Sequence, residues 1–196
     1  MARLPSSNCQ RFFVALTLLT TGYFFGSINV AAQQPTLAAI NAYTRQVDLF
    51  SKRHAKRSFA NVGEDADNWR EFKTAAELNN AAEAPFDESA LVWLKARKVI
   101  VANFTFTSPS GDWAQYVSYY FHEDGSLAKI HARLNTFNGN LTVIREKFYD
   151  DQGKLLSESS RYLDLKSGKP TKSRDFADEP IPVYLKTQDL PFYKIL

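Results

Sequence analysis

The chain has 196 residues, a single cysteine and a formal charge of +3, with 44% hydrophobic and 14% aromatic residues. That length is enough for one hydrophobic core, and a lone cysteine excludes an internal disulfide framework. The charge excess is too small for the broad basic footprint of a nucleic-acid-binding domain.

Residues 1–32 have the composition of a secretory signal peptide. Arg3 and Arg11 precede the apolar run Phe12–Leu19, and small residues follow as far as Val30-Ala31-Ala32. A basic n-region, an apolar h-region and a small-x-small site place cleavage after Ala32. The alternative is an uncleaved N-terminal membrane anchor, since Phe12 to Ala32 matches the roughly 20 residues of a bilayer span. Thr20, Thr21, Gly22, Gly26, Ser27 and Asn29 dilute its second half, however. Either way the remaining chain is expected to be periplasmic or extracellular, touching a membrane only through this segment if it is retained. Cys9 precedes the h-region, so it is not placed as a lipid-modified cysteine, and it leaves with the signal. Lys and Arg then fall from 24 to 22 against 21 acidic residues, which lowers the net charge from +3 to +1. The exported part, 33–196, is a near-neutral, cysteine-free domain.

The expected fold class is α+β: one or two N-terminal helices (33–88) packed on a meandering antiparallel β-sheet of about six strands (89–165), followed by an extended Pro-containing tail (166–196). From Pro35 to about Phe59, apolar Leu37, Ile40, Tyr43, Val47 and Phe50 recur at steps of three and four, the period of an amphipathic helix. Lys52, Arg53, His54, Lys56 and Arg57 at its far end read as a solvated terminus favoured by the helix dipole. After a turn-rich loop at Asn61–Asp67, a short helix is expected with Asp67 as N-cap and Trp69 and Phe72 inward. Thr74 and Glu77 have capping-box spacing, and Pro85 ends the helical pattern.

Strands are expected at Val92–Leu94, Val99–Phe106, Trp113–His122, Leu127–Phe137, Leu141–Tyr149 and Lys154–Leu165. Ser108–Gly111, Asp124-Gly125, Asn138-Gly139-Asn140 and Asp151-Gln152-Gly153 supply the turns between them. Pro180, Pro182 and Pro191 suit an extended tail lying over the sheet. The outer sheet face also carries Leu141, Val143, Leu155 and Leu163, so the tail is expected to cover part of it. Residues 120–127 (YFHEDGSL) align without gaps on 148–155 (FYDDQGKL). This echo resembles the aromatic-Gly-Leu hairpin units of extracellular β-repeat proteins, but convergence on shared turn chemistry is the favoured explanation, because acidic-Gly turns are so common.

Turn length sets strand register, and register decides which side chains share a face. A two-residue Asp124-Gly125 loop pairs Glu123 with Ser126, Phe121 with Ala128, Tyr119 with Ile130 and Val117 with Ala132, an apolar core face. The opposite face then pairs Tyr116 with Arg133, Ser118 with His131 and Tyr120 with Lys129. At Asn138-Gly139-Asn140 a two- or four-residue loop would put Glu146 beside His131 and align Ser118, His131 and Glu146, a possible nucleophilic site. That register turns Arg145 and Lys147 onto the core face. A three-residue loop pairs Leu134 with Ile144 and Ile130 with Phe148, sets His131 against Lys147 and leaves only Glu146 misplaced there. Because unpaired buried charge is costly, the three-residue loop is expected.

No cofactor motif, nucleophile elbow or metal-ligand spacing is present among His54, His122 and His131. Asn103-Phe104-Thr105 and Asn140-Leu141-Thr142 are N-glycosylation sequons, relevant only in a glycosylating host. The expected binding surface is Tyr116, Tyr120, His122, Lys129, His131 and Arg133, which mix aromatic rings with cations and hydrogen-bond donors. Trp93 and Trp113 are expected in the core. The leading functional expectation is an exported, non-enzymatic module that binds a ligand or an envelope protein. A hydrolase using Ser118, His131 and an acid is one alternative, and a self-associating structural envelope component is another.

Overall fold

The computed structural model describes residues 35–63, 68–81, 87–172 and 178–196. The expected signal segment with Ala32, the expected Asp67 cap and Pro85 lie outside the described residues. Thr36 opens helix α1 (Leu37–Ser51), its hydroxyl accepting the Ala39 N–H at 3.2 Å. The helix ends at Ser51, well short of Phe59, because the next residues form strand β1 (Arg57–Asn61), which pairs with strands on both sides. The expected second helix is instead strand β2 (Trp69–Phe72). Buried residues three apart fit one helix face, but here they lie on opposite faces of a short edge strand. A later helix, α2 (Ala75–Asn80), starts where the capping signal put it: Thr74 Oγ1 accepts the Glu77 N–H at 3.0 Å. The Glu77 carboxylate accepts from Lys73 N rather than from Thr74 N, so the box is not reciprocal.

Six more strands follow: β3 (Glu88–Lys95), β4 (Lys98–Thr107), β5 (Trp113–Phe121), β6 (Leu127–Thr136), β7 (Leu141–Tyr149) and β8 (Leu155–Asp164). All eight join in one antiparallel sheet, in the order β2-β1-β3-β4-β5-β6-β7-β8. The expected meander corresponds to β3–β8, and β1 and β2 extend it at one edge.

The β5–β6 pairing has the expected register through its body: Tyr119 faces Ile130, Val117 faces Ala132, Ser118 faces His131 and Tyr116 faces Arg133. Its tip differs. His122 N donates to Ser126 O, so the loop is Glu123-Asp124-Gly125, and Phe121 faces Leu127 with Ala128 bulged out. A three-residue loop with one bulged residue leaves the rest of the pairing where a two-residue loop would put it. The β7–β8 hairpin repeats this construction. Asp150 N donates to Lys154 O, Tyr149 faces Leu155, and the register shifts between Phe148 and Tyr149. Gly125 and Gly153 occupy matching positions at φ +88° and +80°. The 28-residue echo is thus one hairpin design used twice.

The β6–β7 register overturns the expectation. Thr136 faces Leu141 across the four-residue loop Phe137–Asn140, so Leu134 faces Val143, Ile130 faces Lys147 and His131 faces Glu146. Arg145 and Lys147 do lie on the apolar face, but neither is unpaired. Arg145 Nη2 is 2.5 Å from Asp178 Oδ1 of the tail, and Lys147 Nζ is 3.1 Å from Glu158 Oε1 on β8. In return Leu141 and Val143 join Leu134 in the core, so they are not on the outer face.

Two layers cover the sheet. On the inner face Phe59, Phe104, Val117, Tyr119, Phe121 and Ile130 pack against Leu190 and Phe192 of the tail. Hydrogen bonds to its carbonyls fix the tail there: the Tyr119 side-chain Oη donates to Pro182 O at 2.8 Å, and Leu127 N donates to Leu185 O at 2.8 Å. The tail therefore wraps the sheet as expected, but on the core face rather than the outer one. The other face carries α1, whose Val47 packs with Trp93, Val101 and Tyr120, and whose Ile40 packs with Ala128 and Phe148. Trp93 is buried, its Nε1 donating to His54 O at 3.2 Å, and Trp113 packs against the Leu134 cluster.

Candidate functional site

The helix face carries side chains in rows across the strands, set by the pairing. The row nearest α1 runs Val101, Tyr120, Lys129, Phe148; the next runs Asn103, Ser118, His131, Glu146; the third runs Thr105, Tyr116, Arg133, Ile144. The six expected binding residues divide across these rows and the hairpin tip. Tyr120, Lys129 and His122 lie at or beneath α1, whereas Tyr116, His131 and Arg133 remain open to solvent.

The covered residues are engaged. Tyr120 Oη donates to Asp48 Oδ1 at 2.9 Å, and burial together with the Asp48 charge pushes the phenol well above its usual pKa. Lys129 is 7% exposed. Its ammonium donates to Asn41 Oδ1 at 2.9 Å, lies 2.7 Å from Glu146 Oε1 and sits 4.7 Å above the Phe148 ring. His122 stacks on Tyr43 with ring centres 5.5 Å apart, and its Nε2 is buried without a hydrogen-bond partner among the described residues.

Between α1 and the first two rows lies a cleft of about 300 Å³, lined by Asn41, Thr44, Arg45 and Asp48 from the helix and Tyr120, Lys129 and His131 from the sheet. The helix residues were not among the expected site residues. Their sequence signal is a polar stripe, Asn41-Arg45-Asp48, at steps of four and three beside the apolar stripe Ile40-Val47. Arg45 is exposed and makes no ion pair among the described residues. Arg133 is exposed, its Nε donating to Asn135 Oδ1 at 3.1 Å, and Tyr116 is 46% exposed beside it. The cleft thus opens onto a surface of two arginines, a tyrosine and an imidazole.

The register also brings Ser118, His131 and Glu146 into one row. His131 Nδ1 is 3.5 Å from Glu146 Oε1, longer than an ordinary hydrogen bond. That same oxygen is held by Lys129, whose hydrogen bond is the main reason the Glu146 carboxyl is held below the usual carboxylate pKa. Ser118 makes no hydrogen bond to His131 among the described residues. A nucleophile–base–acid relay needs both links short. Of the sequons, Asn103 is mid-strand with its Oδ1 buried and unpartnered, and Asn140 donates to Asp164 Oδ2 at 2.7 Å.

Among the described residues no helix is long and apolar enough to cross a membrane, and no three His, Cys, Asp or Glu side chains cluster as a metal site. Comparison with protein-family models, with curated proteins and with solved structures finds no match to this chain.

Proposed function

We propose that this chain is an exported, non-enzymatic binding module of the periplasm or extracellular space, and that its ligand is a hydroxyl-rich anion such as an acidic saccharide. Export rests on the N-terminal signal pattern. The observation that carries the binding reading is the α1 cleft opening onto Arg45, His131, Arg133 and Tyr116. Guanidinium groups suit carboxylate or sulfate, an exposed tyrosine ring suits the apolar face of a sugar, and Asn and Thr side chains suit its hydroxyls. Titration with a uronate oligosaccharide and a neutral oligosaccharide of equal length, read by thermal shift, tests this. Arg45→Ala and Arg133→Ala are each expected to weaken uronate binding by about tenfold, the loss of one charge-assisted bond. Equal response to both sugars, or unchanged affinity in both variants, would remove the assignment.

A second reading is a hydrolase, favoured by the Ser118–His131–Glu146 row. The 3.5 Å imidazole–carboxylate separation and the Lys129 claim on the same oxygen weigh against it. Ester-hydrolysis assays of the purified protein are expected to give the same background rate for wild type and Ser118→Ala. A loss of activity of about a hundredfold or more in the variant would reverse the order of the two readings.

A further inference from the structure

A second and larger cavity, of about 420 Å³, opens at the end of the sheet where the β3–β4 and β5–β6 hairpin tips meet the last turns of the tail. It shares no residue with the α1 cleft. Its volume is within the usual range of small-molecule sites. Leu94 and Val99 supply apolar wall, and Tyr193, 41% exposed, supplies an aromatic one. Each hairpin tip adds charge of opposite sign, Arg97 from one and Asp124 from the other.

The charges around this cavity are not all committed. Lys95 Nζ lies 3.2 Å from Glu123 Oε1, so that pair is committed, whereas Lys98 donates to the Glu123 backbone carbonyl at 2.8 Å, which positions its ammonium on the cavity wall without neutralising it. Arg97 makes no hydrogen bond or ion pair among the described residues. Asp124 receives both Ser126 N and Ser126 Oγ on Oδ1, at 2.9 and 2.6 Å, which leaves acceptor capacity on Oδ2. Those bonds also hold its pKa below the usual carboxylate value, so it is ionised at neutral pH.

The turn that presents Arg97 is built against local preference. Lys95-Ala96-Arg97-Lys98 is a tight hairpin whose two central residues have φ +50° and +65°. Asn-Gly relaxes such a turn, and the β5–β6, β6–β7 and β7–β8 tips do place glycine at positive φ, at Gly125, Gly139 and Gly153. A side chain kept where glycine is easier points to a use for that side chain.

We propose that this cavity binds a zwitterion of the amino-acid or short-peptide class, its carboxylate on Arg97, its ammonium on Asp124 and its apolar side chain against Leu94, Val99 and Tyr193. The two charges come from different hairpins and face a partly apolar cavity, an arrangement that favours a ligand carrying both signs on one small apolar body over a simple anion or cation.

Calorimetric titration of the folded protein with the dipeptide Leu-Leu, and with its N-acetylated, C-amidated form, tests the proposal. Leu-Leu is expected to bind at least about tenfold more tightly than the blocked form, and Asp124→Asn, which keeps an acceptor for Ser126, to lower its affinity by about tenfold. Arg97→Gly is expected to raise Tm while weakening Leu-Leu by a similar factor, and Arg133→Ala, in the other cleft, to leave Leu-Leu binding unchanged. Absence of saturable Leu-Leu binding, equal binding of the blocked peptide, or undiminished affinity in Arg97→Gly would each overturn the assignment. A lower Tm in Arg97→Gly would do so too, because the strain that singles out Arg97 would not exist.

Discussion

Replacing Phe104 by alanine is expected to destabilise the protein by about 4 kcal/mol and to lower Tm by roughly 10 °C. Phe104 is 1% exposed on the inner face of β4, next to the middle of the sheet. Its ring centre is 5.7 Å from Trp69, 5.5 Å from Phe106, 5.4 Å from Tyr119, 5.6 Å from Tyr184 and 5.5 Å from Phe192. Those rings come from β2, from β4 itself, from β5 and from the tail. Removing the central ring leaves a void that no single neighbour can fill, because the sheet fixes three of them and the tail's own backbone bonds hold the other two. With no disulfide to constrain the unfolded chain, the loss falls directly on the core. Urea denaturation measures it, with Phe137→Ala as control: that ring is 72% exposed at a hairpin tip, and its loss is expected to cost less than about 0.5 kcal/mol. A Phe104→Ala cost below about 1.5 kcal/mol would mean that the tail does not dock on this face.

The strands β3–β8 were legible because local chemistry and hydrophobic alternation agree there. The Gly125 and Gly153 turns sit between alternating apolar runs, and the body of β5–β6 followed from the turn rule. The bulge at Ala128 was not legible, since an added loop residue and a bulged residue cancel in the register. The β6–β7 register failed for a non-local reason. The cost of turning Arg145 inward depends on Asp178, 33 residues away in a tail whose position no local pattern reveals. Paired charge and unpaired charge have opposite consequences, and the sequence alone left the pairing open. For β1 and β2 the difficulty was length: five- and four-residue segments are too short for periodicity to separate strand from helix, and the available sheet edge decided.

The candidate surface was half legible. The alternation of β5 and β6 correctly grouped Tyr116, Ser118, Tyr120, Lys129, His131 and Arg133 on one face. It could not show that α1 would lie over one end of that face, because the tail, not α1, was expected over the outer side. Once the tail occupies the apolar side, α1 goes to the other, and its Asn41-Arg45-Asp48 stripe becomes a wall of the cleft.

The Lys129–Glu146 pair links that cleft to stability, and Glu146→Ala is expected to cost about 2–3 kcal/mol. The Lys129 ammonium would stay buried with Asn41 as its remaining hydrogen-bond partner. The figure lies below the range for fully buried pairs because the Glu146 side chain is 31% exposed and partly screened. Lys129→Met combined with Glu146→Leu is expected to recover to within about 1 kcal/mol of wild type, since Phe148, Ala128 and Ile40 already form an apolar cluster beside the site. The pH dependence separates the two variants from wild type. Glu146 has a lowered pKa in the folded protein, chiefly through the Lys129 hydrogen bond, so its contribution is fully present above the ordinary value of 4.5 and is lost as pH falls through the folded value. Wild-type stability should therefore drop on acidification below about pH 4.5 more than that of the double variant, as read from urea midpoints at neutral and acid pH. Equal acid sensitivity in the two proteins would show that the pair contributes no pH-linked stability. A double variant as unstable as Glu146→Ala would show that the site depends on its polar groups for packing and not only for charge balance.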